Sequence, residues 1–441
     1  MSSTIAPHSS STPLETDRGG RASGWSAAAG HFRWVICALL FFGTTKNYMD
    51  RQILGLLKHT LQSEFHWTEV DYSNLVVAFQ LAYACGMVVV GRVIDRLGTR
   101  LGYAITMVFW SIASMSHAFA GSLTGFLAAR AALGFGESGV IPAGVKSVAE
   151  WFPKKERALA TGIFNSGTNI GAVLAPLIIP WITIHLGWRW SFILVGAIGF
   201  LWLAFWLLIY RSPEAHPGVS ARELAYIRSD PGDFSPPIPW KTLLRYRQTW
   251  SFIAGKTLSD PVWWFYLFWA PDFLQRKFAL SLGQIAAPLM TIYILADIGS
   301  IGGGWLPSLL IRRGATVNAA RKRAMLACAF CVIPVAFANH VSGLWSAVLI
   351  ISLAASAHQG FSANLLTLPS DMFPAASVAS VAGLGGMAGA MSGMFAAKII
   401  GYALQWTGSY QIPFLIAGAA YFVALGAIQL IVPKLEPISV T

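Results

Sequence analysis

The sequence has 441 residues, 55% of them hydrophobic and only 11% charged, with a mean hydropathy of +0.57. That balance is foreign to a water-soluble globular chain, so composition points to a polytopic membrane protein and excludes an ordinary soluble enzyme. A net charge of +12 would suggest a nucleic-acid partner in a soluble protein, but here the position of the charges along the chain decides otherwise.

In chain order, residues 1–32 are rich in Ser, Gly, Ala and Thr and include Glu15 and Asp17, with no compact apolar core ahead of a small-residue cleavage site. They read as a disordered tail, not a signal peptide. A bilayer core about 30 Å thick needs roughly 20 apolar residues per helix. Twelve such segments follow, at 33–57, 70–90, 100–119, 122–146, 157–183, 190–209, 250–274, 283–311, 321–338, 342–367, 376–402 and 411–432. With a cytoplasmic N-terminus, Lys and Arg gather in the cytoplasmic connections and only Lys58, Arg189, Arg276 and Lys277 fall outside. This positive-inside pattern puts both termini in the cytoplasm and accounts for the surplus charge without nucleic acid.

Segment 1 carries Lys46, Asp50 and Arg51 inside the stretch TKNYMDRQ. A charge at mid-membrane costs about 2.5–3.5 kcal/mol on insertion scales, so these residues are functional candidates and need a partner or a cavity. Neighbours on a helix point about 100° apart, so Asp50 and Arg51 address different surroundings. Segment 4 carries Arg130 and Glu137. Counted from the outer ends of their helices, Asp50 and Arg130 both lie about 10–12 Å deep, which makes them a plausible interhelical ion pair. Lys46, one turn from Asp50, competes for it. Glu137 follows Arg130 by two turns on nearly the same face, closer to the cytoplasm, with Gly134 and Gly136 beside it to admit another helix or a water chain.

Burial raises a carboxylate's pKa and a nearby Arg lowers it, so Asp50 and Glu137, with Arg130, can load a proton on one side and release it on the other. The alternative is static salt bridges that hold the bundle together. Arg51 is left as the candidate to hold an anion bidentately; an ion pair with Asp297 or Glu137 is the other reading.

Segment 5 holds GIFNSGTNIGA (162–172), and segment 11 holds GLGGMAGAMSG (383–393), both dense in small residues that allow close helix approach. Between segments 6 and 7 runs a polar connection, 211–249, with Pro213, Pro217, Pro231, Pro236, Pro237 and Pro239. Within it, Ser220 and Glu223 have capping-box spacing, and Trp240, Leu243, Leu244 and Trp250 beside Lys241, Arg245 and Arg247 form an interfacial stretch. In segment 7, Lys256 and Asp260 are spaced to neutralise each other, and Pro261 interrupts the helix. Cys328 and Cys331 form a C-x-x-C inside segment 9, where packing outweighs redox or zinc chemistry. Lys146 and Lys398 sit near helix ends and can snorkel.

Gly91-Arg-Val-Ile-Asp95-Arg96-Leu-Gly98-Thr-Arg100 resembles the signature loop of the major facilitator superfamily, G-x-x-x-D-R-x-G-x-R. A weaker echo, Gly303-Gly304 to Arg312-Arg313-Gly314, occupies the same place in the second half, with Ser308 where the first has Asp95. The run from NYMDRQ through GESGVIPAGVKSVAEWFPKKERALATGIFNSGTNIGA to HQGFSANLLTLPSDMFP is similar to the anion:cation symporters of that superfamily, most of all to hexuronate transporters. The resemblance implies an all-α membrane protein of twelve transmembrane helices in two six-helix halves. It implies that Arg51 binds a substrate carboxylate and that Asp95, Arg96 and Arg100 form an inner gate latch; a simple positive-inside loop is the other reading of those three.

A sugar substrate needs polar groups on apolar walls. Tyr48 and Tyr83, Asn165 and Asn169 one turn apart, and His358, Gln359 and Asn364 are the candidates, with Trp263 or Trp264 as a stacking face. The organisation expected is a tail (1–32), a first half (33–210), a cytoplasmic linker (211–249), a second half (250–433) and a tail (434–441). The function expected is proton-coupled uptake of a sugar acid such as glucuronate or galacturonate by a monomer in the inner membrane, with no cofactor and no metal. Aldonates and aldarates are alternative substrates. An intramembrane enzyme would need a nucleophile or metal-ligand array, and the nine histidines are scattered.

Overall fold

The computed structural model describes residues 31–229 and 238–438, which form helices and connections without a strand among the described residues. Nearly all of the N-terminal tail, with Glu15 and Asp17, lies outside the described residues, as do Pro231, Pro236 and Pro237 of the linker and the last residues of the C-terminal tail.

The first half comprises α1 (Phe32–Leu56), a short α2 (Lys58–Phe65), α3 (Glu69–Leu97), α4 (Thr99–Ser116), α5 (Leu123–Glu137), α6 (Val140–Trp151), α7 (Lys154–Leu186) and α8 (Trp188–Ile209). The linker holds α9 (Ala221–Ile227) and α10 (Trp240–Leu243). The second half comprises α11 (Arg247–Phe278), α12 (Ala286–Arg312), α13 (Val317–Val332), α14 (Leu344–Met372), α15 (Ala375–Thr407) and α16 (Gln411–Ile431). Each expected segment falls on one of these helices, and seven of the helices are long and apolar enough to cross a membrane by a strict length and hydropathy criterion. The fourth segment is the exception in form, because the chain breaks at Ser138-Gly139 and α5 and α6 share that crossing.

Local chemistry sets several ends. Thr68 caps α3: its side chain accepts from the Asp71 amide at 3.1 Å while Asp71 accepts from the Thr68 amide at 2.9 Å. Ser220 likewise accepts from the Glu223 amide, but Glu223 turns its carboxylate to Arg33 instead of completing the box. The stretch 91–100 is more helical than expected. Asp95 and Arg96 belong to the last turns of α3 and Arg100 to the first turn of α4, because Gly98 at φ 79° makes the whole reversal.

Helix pairs repeat across the halves. α7 lies along α1 and α15 along α11. Both contacts use the small-residue runs: a Cβ at Gly171 would come within 2.9 Å of Tyr48, and one at Gly389 within 3.1 Å of the Asp260 Cβ. The halves meet through α3 against α15, α7 against α12 and α1 against α11. The end at which α1 and α11 both finish is called distal below.

Candidate functional site

The charges of segment 1 are almost completely buried: Lys46 is 2% exposed, Asp50 1% and Arg51 4%. They divide between two sets of partners, as helical geometry demands, but the partners differ from the expected ones. Asp50 does not pair with Arg130. Its Oδ2 accepts from Lys46 at 2.6 Å and from the Trp110 indole at 2.8 Å, and its Oδ1 accepts from Ser114 at 2.7 Å. Equal depth does not make Asp50 and Arg130 partners: α4 presents two donors to Asp50, and Lys46 needs no second helix to reach it.

Arg51 Nε donates to Glu137 Oε2 at 2.7 Å, the alternative left open by the sequence. Its guanidinium carbon lies 4.7 Å from the Tyr83 ring centre, 5.1 Å from Tyr48, 5.4 Å from Phe79 and 5.7 Å from Trp264. Three of these rings come from α1 and α3, and Trp264 comes from α11, so the arginine sits where the two halves face each other. Glu137 is delivered by α5, whose glycines let it approach closely. A Cβ at Gly134 would strike the Phe79 backbone of α3, and one at Gly136 would come within 2.7 Å of the Trp110 Cβ of α4.

Arg130 is the unusual member. It is fully buried, stacked at 4.5 Å on Phe79, and none of its three guanidinium nitrogens has a hydrogen-bond partner among the described residues. Glu137 follows it by two turns on α5, and Glu137 Oε1 is also without a partner among the described residues. Lys46, Arg51 and Arg130 against Asp50 and Glu137 leave one surplus positive charge inside the bundle. A buried unpaired cation is costly, so the cluster favours an added anion.

The other sugar-site candidates do not all converge on Arg51. Tyr48 and Tyr83 do. Asn165 is exposed and Asn169 half-buried on α7, and neither touches the arginine among the described contacts. His358 belongs to a second aromatic group: it stacks on Trp263 at 5.3 Å, with Nδ1 2.7 Å from the Tyr421 hydroxyl. Gln359 is half-buried beside it. Asn364 donates to the carbonyls of Gly303 and Gly360 at 2.7 and 2.9 Å, tying α14 to α12 at a close crossing. Lys256 and Asp260 pair at 2.7 Å on α11. Gln80, with both amide atoms buried and unpartnered among the described residues, and Gln52, in the same condition, were not singled out by sequence. Their signal was present, since an amide inside an apolar helix needs a partner.

At the distal end a second charged cluster joins the halves. Lys58 contacts Glu69 at 2.8 Å and Asp272 at 2.7 Å; Arg276 bonds Asp272 at 3.0 Å and also Glu69; and the Tyr410 hydroxyl donates to Asp272. Tyr72 donates across to the Phe268 carbonyl at 2.8 Å. Sequence alone treats Lys58 and Arg276 only as outer-loop charges. Among the described residues no contact of the expected inner latch bridges the halves: Arg96 is exposed, Arg100 donates to the Leu207 carbonyl within the first half, and the side chain of Asp95 lies outside the described residues.

Among the described residues no group of His, Cys, Asp and Glu is arranged to hold a metal ion. A groove of about 390 Å³ between α1 and α8 opens on the lipid-facing flank, walled by Phe42, Leu201 and Phe205 with Lys46 at its floor. Its apolar walls do not suit a sugar acid.

The profile of the Major Facilitator Superfamily matches residues 40–397. The chain belongs to this superfamily. It is 33% identical over 402 residues to the hexuronate transporter of Escherichia coli strain K12, covering 90% of this chain and 92% of that one. It is 34% identical over 283 residues to the galacturonate transporter of Dickeya chrysanthemi, covering 63% and 82% of the two chains, and 28% identical over 420 residues to the D-galactonate transporter of Escherichia coli O6:H1, covering 92% and 97%. Its fold matches a bacterial homologue of the human lysosomal transporter Spinster in an inward-facing, occupied conformation, with a TM-score of 0.74 and 18% identity over 92% of this chain and 98% of that one. It also matches the D-xylose–proton symporter, with a TM-score of 0.71 and 14% identity over 92% and 99%. This membership makes the chain a multi-pass membrane transporter, not an enzyme, in the two-half arrangement described above.

Proposed function

We propose that this transporter carries a sugar acid of the hexuronate class into the cell together with a proton. The observation that carries the reading is the Arg51–Glu137 pair, roofed by aromatic rings where the halves meet. A guanidinium offers two edges to carboxylates, and Glu137 occupies only the Nε side. Aromatic faces around it suit the C–H faces of a sugar ring, and hydroxyls of Tyr48 and Tyr83 supply polar contacts.

In this scheme a proton on Glu137 abolishes its hold on Arg51, and the substrate carboxylate takes its place. Binding of the anion and of the proton then favour one another. Arg130, without a hydrogen-bond partner among the described residues, is a second buried cation that favours the ionised form of that carboxylate. Asn165, Asn169, His358 and Gln359 contact the sugar only if the halves close further. Asp95, Arg96 and Arg100 latch the inner face in the opposite state. The end carrying both described termini is cytoplasmic, so the distal cluster closes the outer face of the inner membrane. The transporter works as a monomer, with halves 33–210 and 250–433.

Relatives named for hexuronate and galacturonate lead those named for galactonate and glucarate in identity, 33–34% against 27–28%, which favours hexuronates over aldonates and aldarates. The test is uptake into proteoliposomes of glucuronate, galacturonate, galactonate and glucarate, with an inward proton gradient and after its collapse. The hexuronates should accumulate most and only with the gradient. Accumulation indifferent to the gradient, or restricted to glucarate, overturns the reading.

A further inference from the structure

Sequence reasoning leaves two carboxylates, Asp50 and Glu137, as proton carriers, and the structure distinguishes them. Both Asp50 oxygens are engaged, by Lys46, Trp110 and Ser114, whereas Glu137 keeps Oε1 without a partner among the described residues. We infer that Lys46 is a positioning residue, a built-in counter-cation that holds Asp50 permanently ionised, so that one proton, carried by Glu137, accompanies each substrate carboxylate. The inference rests on the proposed proton-coupled transport and fixes its stoichiometry.

Three features of the geometry support it. Lys46 and Asp50 are one turn apart on α1, and Trp110 and Ser114 come from α4 of the same half. Rocking of one half against the other therefore leaves the whole group intact, whereas Arg51 lies under Trp264 of the other half and changes surroundings. Second, Lys46 is housed specifically for this pair. Its ammonium lies 4.6 Å from the Trp110 ring centre and 3.4 Å from the Ser111 hydroxyl, and its stem passes beneath Gly199 of α8, where a Cβ would stand 3.2 Å from the Lys46 Cε. Third, a proton added to Asp50 would leave the Lys46 ammonium without a counter-charge in a buried site walled by Trp110 and by the apolar side chains that line the groove between α1 and α8.

The charged groups around Asp50 are Lys46 and Arg51 on its own helix and Arg130 and Glu137 on α5. At this level α4 offers only Trp110, Ser111 and Ser114, α8 offers Gly199 and Trp202, α7 packs glycine against the α1 backbone, and α11 presents Trp264. One proton entering with one monoanion leaves the charge of the cluster the same in the loaded and the empty carrier. Two protons would add a charge to an already positive interior.

The experiment is glucuronate accumulation in proteoliposomes, with the pH difference and the membrane potential set independently by buffers and by potassium with valinomycin. A pH difference should drive accumulation, and an interior-negative potential at equal pH should change it less than twofold. Two protons per monoanion would instead raise it about tenfold per 59 mV, and that result overturns the inference while leaving proton coupling intact. Accumulation that ignores the pH difference overturns the transport reading and the inference with it. In the same assay Asp50→Asn, which strands Lys46, should lose most transport, and Lys46→Met with Asp50→Asn should recover pH-driven, potential-insensitive accumulation. A double variant that exchanges substrate but no longer accumulates it makes Asp50 a carrier and also overturns the inference.

Discussion

Arg51 of α1 and Glu137 of α5 face each other at 2.7 Å, and the glutamate's second oxygen and the three guanidinium nitrogens of Arg130 lack hydrogen-bond partners among the described residues. A pair that is strong on one edge and unsatisfied on the other is suited to exchange. In the proposed scheme the substrate carboxylate takes the place of Glu137 on Arg51 while the glutamate holds a proton.

Replacing Arg51 with lysine keeps the charge and removes the planar fork. Substrate affinity should fall by about 10- to 100-fold, or roughly 1.4–2.8 kcal/mol, as measured by binding to the purified protein. Normal affinity in Arg51→Lys would show that the carboxylate is held elsewhere.

Glu137→Gln removes the titrating group but keeps the shape. Counterflow of substrate across proteoliposomes should persist, while accumulation driven by a pH difference should be lost. A variant that still accumulates would place the proton on another residue.

The sign of the pH dependence follows from the competition for Arg51. Protonated Glu137 releases the arginine, so substrate binding tightens as pH falls and weakens as pH rises through the titration of Glu137, by at most about tenfold per pH unit for a single linked proton. Isothermal titration between pH 5 and 9 reads the slope, and binding that strengthens toward alkaline pH would reverse the account.

The distal cluster predicts a conformational effect. Asp272→Asn leaves Lys58 and Arg276 short of a counter-charge at the contact between halves, and breaking such a buried pair costs about 3–5 kcal/mol. The closed distal end should open, so a cysteine placed at Leu267, 1% exposed here, should react faster with a membrane-impermeant maleimide applied from that side. An unchanged labelling rate would mean that the cluster does not hold the end shut.

Much of this could be read from the sequence because hydrocarbon forces a simple code. Apolar length located the long helices, and helical periodicity placed Asp50 and Arg51 on different faces. The pairing was harder. Depth along two helices does not say which side chain stands between them, and Trp110 and Ser114 of α4 take the place assigned to Arg130. Asn364 showed the same limit: polarity inside a helix marks a need for partners, but backbone carbonyls of Gly303 and Gly360 satisfy it as well as a sugar would. Lys58, Glu69, Asp272 and Arg276 stayed hidden because they lie near helix ends, where charge is cheap, and only the fold brings them together.

The central claim is that the substrate carboxylate displaces Glu137 from Arg51 and that the glutamate then takes a proton. Proton uptake by the detergent-purified protein on adding glucuronate, followed with a pH-indicator dye in weak buffer, measures this directly. The account predicts proton uptake approaching one per glucuronate bound as the pH is raised, and none in Glu137→Gln that still binds. Binding without proton uptake at any pH between 5 and 9 would contradict it.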